Sequence, residues 1–138
     1  MTDGGRWPRP DPGCAAATAA SRPSRARVFK EIVADLSRVA SVRGSLLVTP
    51  DGLVIIAELP PRAPVEGLAA LGATIGRELE EGSARLGRGP FRMAVFAADG
   101  GTLFVCGSRP GFLIVLGDRN VDVTSVRTAL AGAVDRLQ

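Results

Sequence analysis

The chain of 138 residues contains no histidine and no tyrosine, and its only lysine is Lys30. The missing histidine removes the commonest general base of enzymes and the commonest nitrogen ligand of protein metal sites. Lys30 follows no glycine-rich loop, so a Walker-type phosphate site is excluded, and neither a GxGxxG nor a CxxC motif occurs. These absences predict a protein that is not an enzyme and that has no catalytic residues, no metal site and no cofactor.

Aromatic residues and cysteines are also scarce. Aromatics make up 4% of the chain, although 46% of its residues are hydrophobic, so we expect an aliphatic core and spare apolar surface at an interface. Cys14 and Cys106 lie 92 positions apart, which disfavours a stabilising disulfide bond between them and favours a reducing compartment. No apolar stretch approaches the roughly 18 residues that span a bilayer. We expect a cytoplasmic protein with no membrane insertion.

The net charge of +3 arises in the N-terminal segment. Residues 1 to 27 carry five arginines and two aspartates, whereas the remaining residues carry twelve basic and twelve acidic side chains. A body without net charge argues against a nucleic-acid-binding domain, which neutralises phosphates with clustered basic residues. Residues 1 to 24 hold four prolines, three glycines and many alanines, so we expect a disordered tail followed by one folded domain over 25 to 138.

Hydrophobic periodicity predicts eight elements in the order α-β-β-α-β-β-β-α. The first helix is predicted over about 25 to 41, the second from about Pro64 to Leu86, and the last after a cap at Asn120 or Asp122. The predicted strands are Ser45 to Val48, Leu53 to Ala57, Phe91 to Ala98, Thr102 to Gly107 and Gly111 to Leu116.

The segment Thr49-Pro50-Asp51-Gly52 joins the first two strands and has the composition of a hairpin turn. Proline suits the first corner and glycine the left-handed position. Because the strands are apolar on consecutive residues, helices should cover both faces of the sheet. We therefore predict an α/β (α+β) sandwich. In it, a five-stranded antiparallel sheet carries the first and last helices on one face and the middle helix on the other.

The middle helix carries two apolar stripes. Leucines and one isoleucine form the stripe predicted to face the core: Leu68, Leu71, Ile75, Leu79 and Leu86. The second stripe is made of small residues, among them Gly72 and Gly76, and each interior glycine costs about 0.5–1 kcal/mol relative to alanine. Either a second copy approaches this stripe in a two-fold dimer, or the glycines let the helix sit low on its own sheet. We favour the homodimer.

The segments GSLLVTPDGLVI, LAALGATIGRELE, FRMAVF, GTLFV and GFLIVLGDRNVDV, taken in order, resemble the Roadblock/dynein light chain superfamily, especially its bacterial MglB-type members. The resemblance covers about residues 28 to 137. It implies a profilin-like fold, dimerisation through the middle helix and third strand, and binding of a small Ras-like GTPase. It places dimer contacts on Ala69, Gly72, Ala73 and Gly76 and on the strand Phe91 to Phe96, where Phe91, Met93 and Val95 are the named contacts. Candidates for facing the GTPase are Arg77, Glu80 and Glu81.

Three functions remain open from the sequence. The first is a homodimeric, non-enzymatic regulator that binds a Ras-like GTPase, with an activating role included. The second is a small-molecule sensor that holds an apolar ligand between helix and sheet, and the third is a passive dimeric scaffold. Arg43, Arg62 and Arg109 lie in predicted loops and are candidates for reaching a partner's nucleotide, although solvated surface charge is the simpler explanation.

Overall fold

The computed structural model describes residues 24–137, so the predicted tail lies outside the described residues except for Ser24. The helices are α1 (Arg25–Ser37), α2 (Val65–Arg85) and α3 (Val123–Leu137). The strands are β1 (Val42–Val48), β2 (Val54–Glu58), β3 (Met93–Ala98), β4 (Gly101–Gly107) and β5 (Phe112–Gly117). The predicted order of the eight elements is confirmed.

All five strands pair antiparallel in one sheet, in the order β2-β1-β5-β4-β3. Helices α1 and α3 pack on one face around Leu47, Phe104 and Leu113. Helix α2 packs on the other face around Phe112 and Ile114. The predicted sandwich, with two helices on one face and one on the other, is confirmed.

The turn residue and the helix cap that the sequence predicts have the expected conformation and hydrogen bonds. In the β1–β2 hairpin, Gly52 has φ of 91° and its N–H donates to the carbonyl oxygen of Thr49 at 2.9 Å. Before α3, Asp122 accepts hydrogen bonds from the Ser125 hydroxyl at 2.7 Å and the Thr124 N–H at 3.2 Å. These bonds, the one from Ser125 foremost, lower the pKa of Asp122. Asp122 is therefore the cap of α3.

The predicted orientation of α2 is wrong for the small residues and for three of the five residues expected to face the core. The buried residues of this helix are the small ones that were expected to meet a second copy: Ala69, Gly72, Ala73 and Gly76. Of the five residues that were expected to face the core, Leu71, Leu79 and Leu86 are 50%, 36% and 76% exposed, whereas Leu68 and Ile75 are half-buried against the core under α2. The four small residues are interior residues of a single chain, which contradicts their assignment to a dimer contact.

A close fit between α2 and the sheet explains this orientation. A Cβ added to Gly72 would lie 2.8 Å from Cγ1 of Ile114, and one added to Gly76 would lie 2.5 Å from the Phe112 ring. Ile114 and Phe112 are themselves only 0% and 1% exposed, so neither side chain has free space to retreat into. The glycines therefore let α2 sit low on its own sheet, which is the second of the two explanations considered.

Helices cover both faces of the sheet at the central strands, as predicted, but they do not cover the edge strand β3. Every residue of β4 from Thr102 to Cys106 is buried, whereas the last four residues of β3 are exposed. Val95 and Phe96 are 43% and 58% exposed. An unbroken apolar run in the sequence thus marks a covered strand only where the strand lies inside the sheet.

Replacing Gly76 by alanine tests the close fit. We expect Gly76→Ala to lower the free energy of unfolding by about 1–3 kcal/mol, because the added methyl group overpacks against the Phe112 ring. The matched control is Gly132→Ala in α3, where an added Cβ meets nothing within 4 Å. This control should raise the free energy of unfolding by about 0.5–1 kcal/mol. Urea unfolding followed by circular dichroism measures both, and equal stabilities would contradict the fit.

Candidate interaction site

The outward side of α2 carries a stripe of large apolar side chains. Leu71, Ile75 and Leu79 follow one another at four-residue intervals and so lie on one side of the helix. Leu71 and Leu79 are 50% and 36% exposed, while Ile75 is half-buried at the margin of the core under α2. This stripe is exposed because the glycine and alanine side of the helix occupies the sheet.

β3 is an edge strand whose outer side is unpaired. It pairs with β4 over its whole length, and it ends the sheet among the described residues. Side chains directly opposite each other in an antiparallel pair lie on the same face. Phe96, opposite Leu103, therefore lies on the α2 side, and Val95, opposite Phe104, lies on the side of α1 and α3.

The helix stripe and the strand edge border one core cluster. Leu103 belongs to the cluster under α2, and Ile75 packs against that cluster. We call the exposed and half-buried residues around it the α2/β3 surface: Leu71, Ile75, Leu79, Ala94 and Phe96. Large apolar side chains beside an unpaired strand edge are typical of a protein–protein interface.

The strand residues predicted as dimer contacts do not share one face. Met93 is half-buried against the core under α1 and α3, and Val95 is exposed on that same side. Phe91 precedes β3 and packs against the core under α2. Phe96 lies at the end of the strand that the resemblance assigned to the dimer contact, and the alternation of faces along a strand separates it from Val95.

The three residues predicted to face a GTPase are exposed on α2. At 100° per residue they lie on the flank away from the leucine stripe. The guanidinium of Arg77 donates a hydrogen bond to the carbonyl oxygen of Pro50 in the β1–β2 turn. Glu81 forms an ion pair with Arg85, with 3.4 Å between Oε1 and Nη2, and Glu80 lines a cleft at the start of β3.

The three loop arginines differ in their surroundings. Arg43 lies in β1 and forms an ion pair with Asp118. Arg62, between β2 and α2, and Arg109, between β4 and β5, are exposed. Only the last two are therefore loop arginines open to a partner.

The described residues provide few groups for metal binding or nucleophilic catalysis. Across residues 24–137 there is no group of three or more acidic, histidine or cysteine side chains that could hold a metal ion. No helix in this same part of the chain is long and apolar enough to cross a membrane. Cys106 is 3% exposed, and burial raises its pKa to about 11 despite the opposing charge of Arg92. A thiol that stays protonated is a poor nucleophile, so Cys106 acts as a core residue.

Residues 28–118, from α1 to just beyond β5, match the sequence profile of the Roadblock/LC7 domain. The chain belongs to the Roadblock/LC7 family. It is similar to an uncharacterised protein of Methanocaldococcus jannaschii, with 25% identity over 111 residues that cover 80% of this chain and 97% of that protein.

Solved structures agree with this membership. The Roadblock/LC7 domain from Streptomyces avermitilis has a TM-score of 0.69 and 26% identity, over 76% of this chain and 90% of that one. Myxococcus xanthus MglB has a TM-score of 0.74 and 18% identity, over 84% of this chain and 89% of MglB. At that identity, the likeness to MglB shows that the two proteins share the Roadblock fold.

The raised pKa of Cys106 predicts a loss of stability in alkali. The folded thiol ionises at about 11, whereas the unfolded thiol ionises near 9.0. Between these values the unfolded state binds fewer protons than the folded state, so the free energy of unfolding falls as the pH rises. Because the chain has no tyrosine and only one lysine, few other groups titrate in this window.

Urea unfolding at about pH 8 and about pH 10.5 measures this decrease. We expect the decrease to be smaller in Cys106→Ala than in the wild type, because the variant has no buried thiol. A decrease of the same size in both proteins would show that Cys106 is not its source.

Proposed function

We propose that the chain is a homodimeric, non-enzymatic regulator that binds a small Ras-like GTPase in the cytoplasm. The observation that carries the proposal is the α2/β3 surface, where exposed apolar side chains lie beside the unpaired edge of β3 in a chain of the Roadblock/LC7 family. A location in a reducing compartment is supported by Cys106, which is a free thiol.

In the proposed dimer, two copies pair their β3 strands antiparallel across a two-fold axis. This pairing satisfies the unpaired backbone groups of the edge and continues the sheet from one copy into the other. Phe96 and the outward leucines of α2 would be covered by the same contact. The helix and strand are those expected from the sequence, but the opposite side of α2 makes the contact.

The GTPase would hold the nucleotide, and the dimer would act by contacting one nucleotide state better than the other. Arg77, Glu80 and Glu81 are the candidate contacts, because their flank of α2 is exposed and lies away from the leucine stripe. Arg62 and Arg109 are the arginines best placed to approach a partner's nucleotide, since both are exposed in loops.

The two alternative functions have less support. A sensor needs space for an apolar ligand between helix and sheet, yet a Cβ on Gly76 would lie only 2.5 Å from the Phe112 ring. A passive scaffold would use the same dimer and bind the same GTPase, but it would leave the rate of GTP hydrolysis unchanged.

Substitution of Phe96 tests the dimer. We expect the wild type to be a dimer by size-exclusion chromatography with light scattering, and Phe96→Glu to be a monomer, because an unpaired carboxylate would be buried in an apolar contact. The matched control is Leu53→Glu, which changes a residue that is 67% exposed beside the opposite edge strand. A monomeric wild type, or a dimeric Phe96→Glu variant, would contradict the proposed contact.

Co-purification with the Ras-like GTPases of the same organism tests the partner. We expect one of them to be retained more strongly in one nucleotide state, and the double variant Arg77→Glu/Glu81→Arg to weaken this binding about tenfold or more. Arg119→Glu changes an exposed arginine in the loop before α3 and is the control. Retention of none of the GTPases would refute the proposal. Retention without any change in GTP hydrolysis would instead identify a scaffold.

A further inference from the structure

A second open surface lies between α3 and β3, mainly on the other face of the sheet, and its end at the start of β3 reaches Glu80 of α2. Two adjoining hollows of about 490 and 500 Å³ share Arg92, Met93 and Ala131 among their lining residues. We call them together the α3/β3 groove. Val134 adds to its apolar lining, and Val95, the next residue on this face of β3, is 43% exposed.

The groove exists because the layer formed by α1 and α3 does not extend over the edge strand. Phe104 in β4 is 0% exposed beneath this layer, whereas Val95, its partner in register on β3, is 43% exposed. The apolar surface of the sheet therefore continues past the helices and becomes the floor of the groove.

The groove is lined by three arginines: Arg92, Arg109 and Arg127. Within residues 24–137, no carboxylate oxygen lies within 4.0 Å of their guanidinium groups. On the side of α3 that faces α1, by contrast, Arg136 contacts Glu31 at 3.2 Å and Asp35 at 2.9 Å. On α3, Arg136 is thus paired with carboxylates of α1, whereas Arg127 faces the groove without an ion pair in the described part of the chain.

We propose that the α3/β3 groove binds an acidic amphipathic segment of a partner protein. Carboxylates of such a segment would pair with Arg92 and Arg127, and its apolar side chains would cover Met93 and Val134. The hollow that contains Arg127 has no acidic residue in its lining, so it presents positive charge directly beside the apolar floor. This combination complements a helix with carboxylates flanking an apolar stripe.

Two other occupants fit the groove less well. Residues 1 to 27 of this chain carry net positive charge, so the arginines would repel them. Nucleic acid would need a continuous basic track, whereas Glu80 and Asp135 line the end of the groove near Arg109. An acidic protein segment satisfies both the charge and the apolar floor.

The proposal does not depend on the dimer or on the GTPase. The groove lies on the face of the sheet that α1 and α3 cover, whereas the α2/β3 surface lies on the face that α2 covers. A segment bound beside Arg92 and Arg127 would therefore leave the backbone edge of β3 accessible, together with Arg77 and Glu81 on α2, whereas Glu80 lines the end of the groove.

Fluorescence anisotropy with the full-length protein tests the groove. The probe is a labelled synthetic helix of about 16 residues with leucines at i, i+4 spacing and glutamates flanking them. A scrambled peptide of the same composition and a peptide with lysine in place of glutamate are the comparisons. We expect the probe to bind about tenfold or more tightly than either of them at low salt.

Two double variants locate the binding site. Arg92→Glu/Arg127→Glu should weaken probe binding about tenfold, whereas Arg62→Glu/Arg119→Glu, which makes the same charge change in exposed loops, should leave it unchanged within about twofold. Circular dichroism checks folding, and Arg127→Gln serves if the double variant does not fold.

Three outcomes would overturn the proposal. They are equal binding of the scrambled peptide, an equal loss in the control double variant, and binding to phosphatidylserine vesicles that depends on Arg92 and Arg127 without any preference for the acidic peptide. The last outcome would assign the groove to a membrane surface.

Discussion

The contact between two glycines of α2 and two large side chains of β5 fixes the arrangement of the domain. At Gly72 and Gly76 the helix backbone lies directly against Ile114 and Phe112, with no room for a Cβ between them. Each glycine weakens the isolated helix by about 0.5–1 kcal/mol, and the burial of an isoleucine and a phenylalanine side chain offsets that cost. Because this side of α2 lies on the sheet, Leu71 and Leu79 lie on the outside of the helix.

The same geometry gives the domain two open surfaces of different character. On one face, a single helix seated close to β5 leaves leucines and Phe96 exposed in a mainly apolar surface. On the other face, two helices cover the sheet as far as β4, and the uncovered part next to β3 combines a small apolar floor with arginines. Both surfaces meet at β3, so this edge strand borders both of the proposed contacts.

Much of the fold could be predicted from local signals, because its turns and caps depend on neighbouring residues. Gly52 adopts the left-handed conformation expected of it, and Asp122 caps α3. The orientation of α2 could not be predicted in this way. Helical periodicity separates a leucine stripe from a small-residue stripe, but which of them is buried depends on Phe112 and Ile114, which lie far away in the sequence. The position of β3 at the edge likewise follows from pairing between β1 and β5, which no local pattern reports.

The other edge strand, β2, determines whether further copies could add to the proposed dimer. β2 is a five-residue strand beside a register shift between Leu47 and Val48, and the Glu58 carboxylate at its end accepts a hydrogen bond from the Ser37 hydroxyl at 2.7 Å. A short, irregular strand anchored to a helix is a poor template for a further chain. Contacts between unlike edges form open filaments unless they close into a ring, whereas a contact between two copies of the same edge is complete in a dimer. We therefore expect β2 to add no further copies to the proposed dimer.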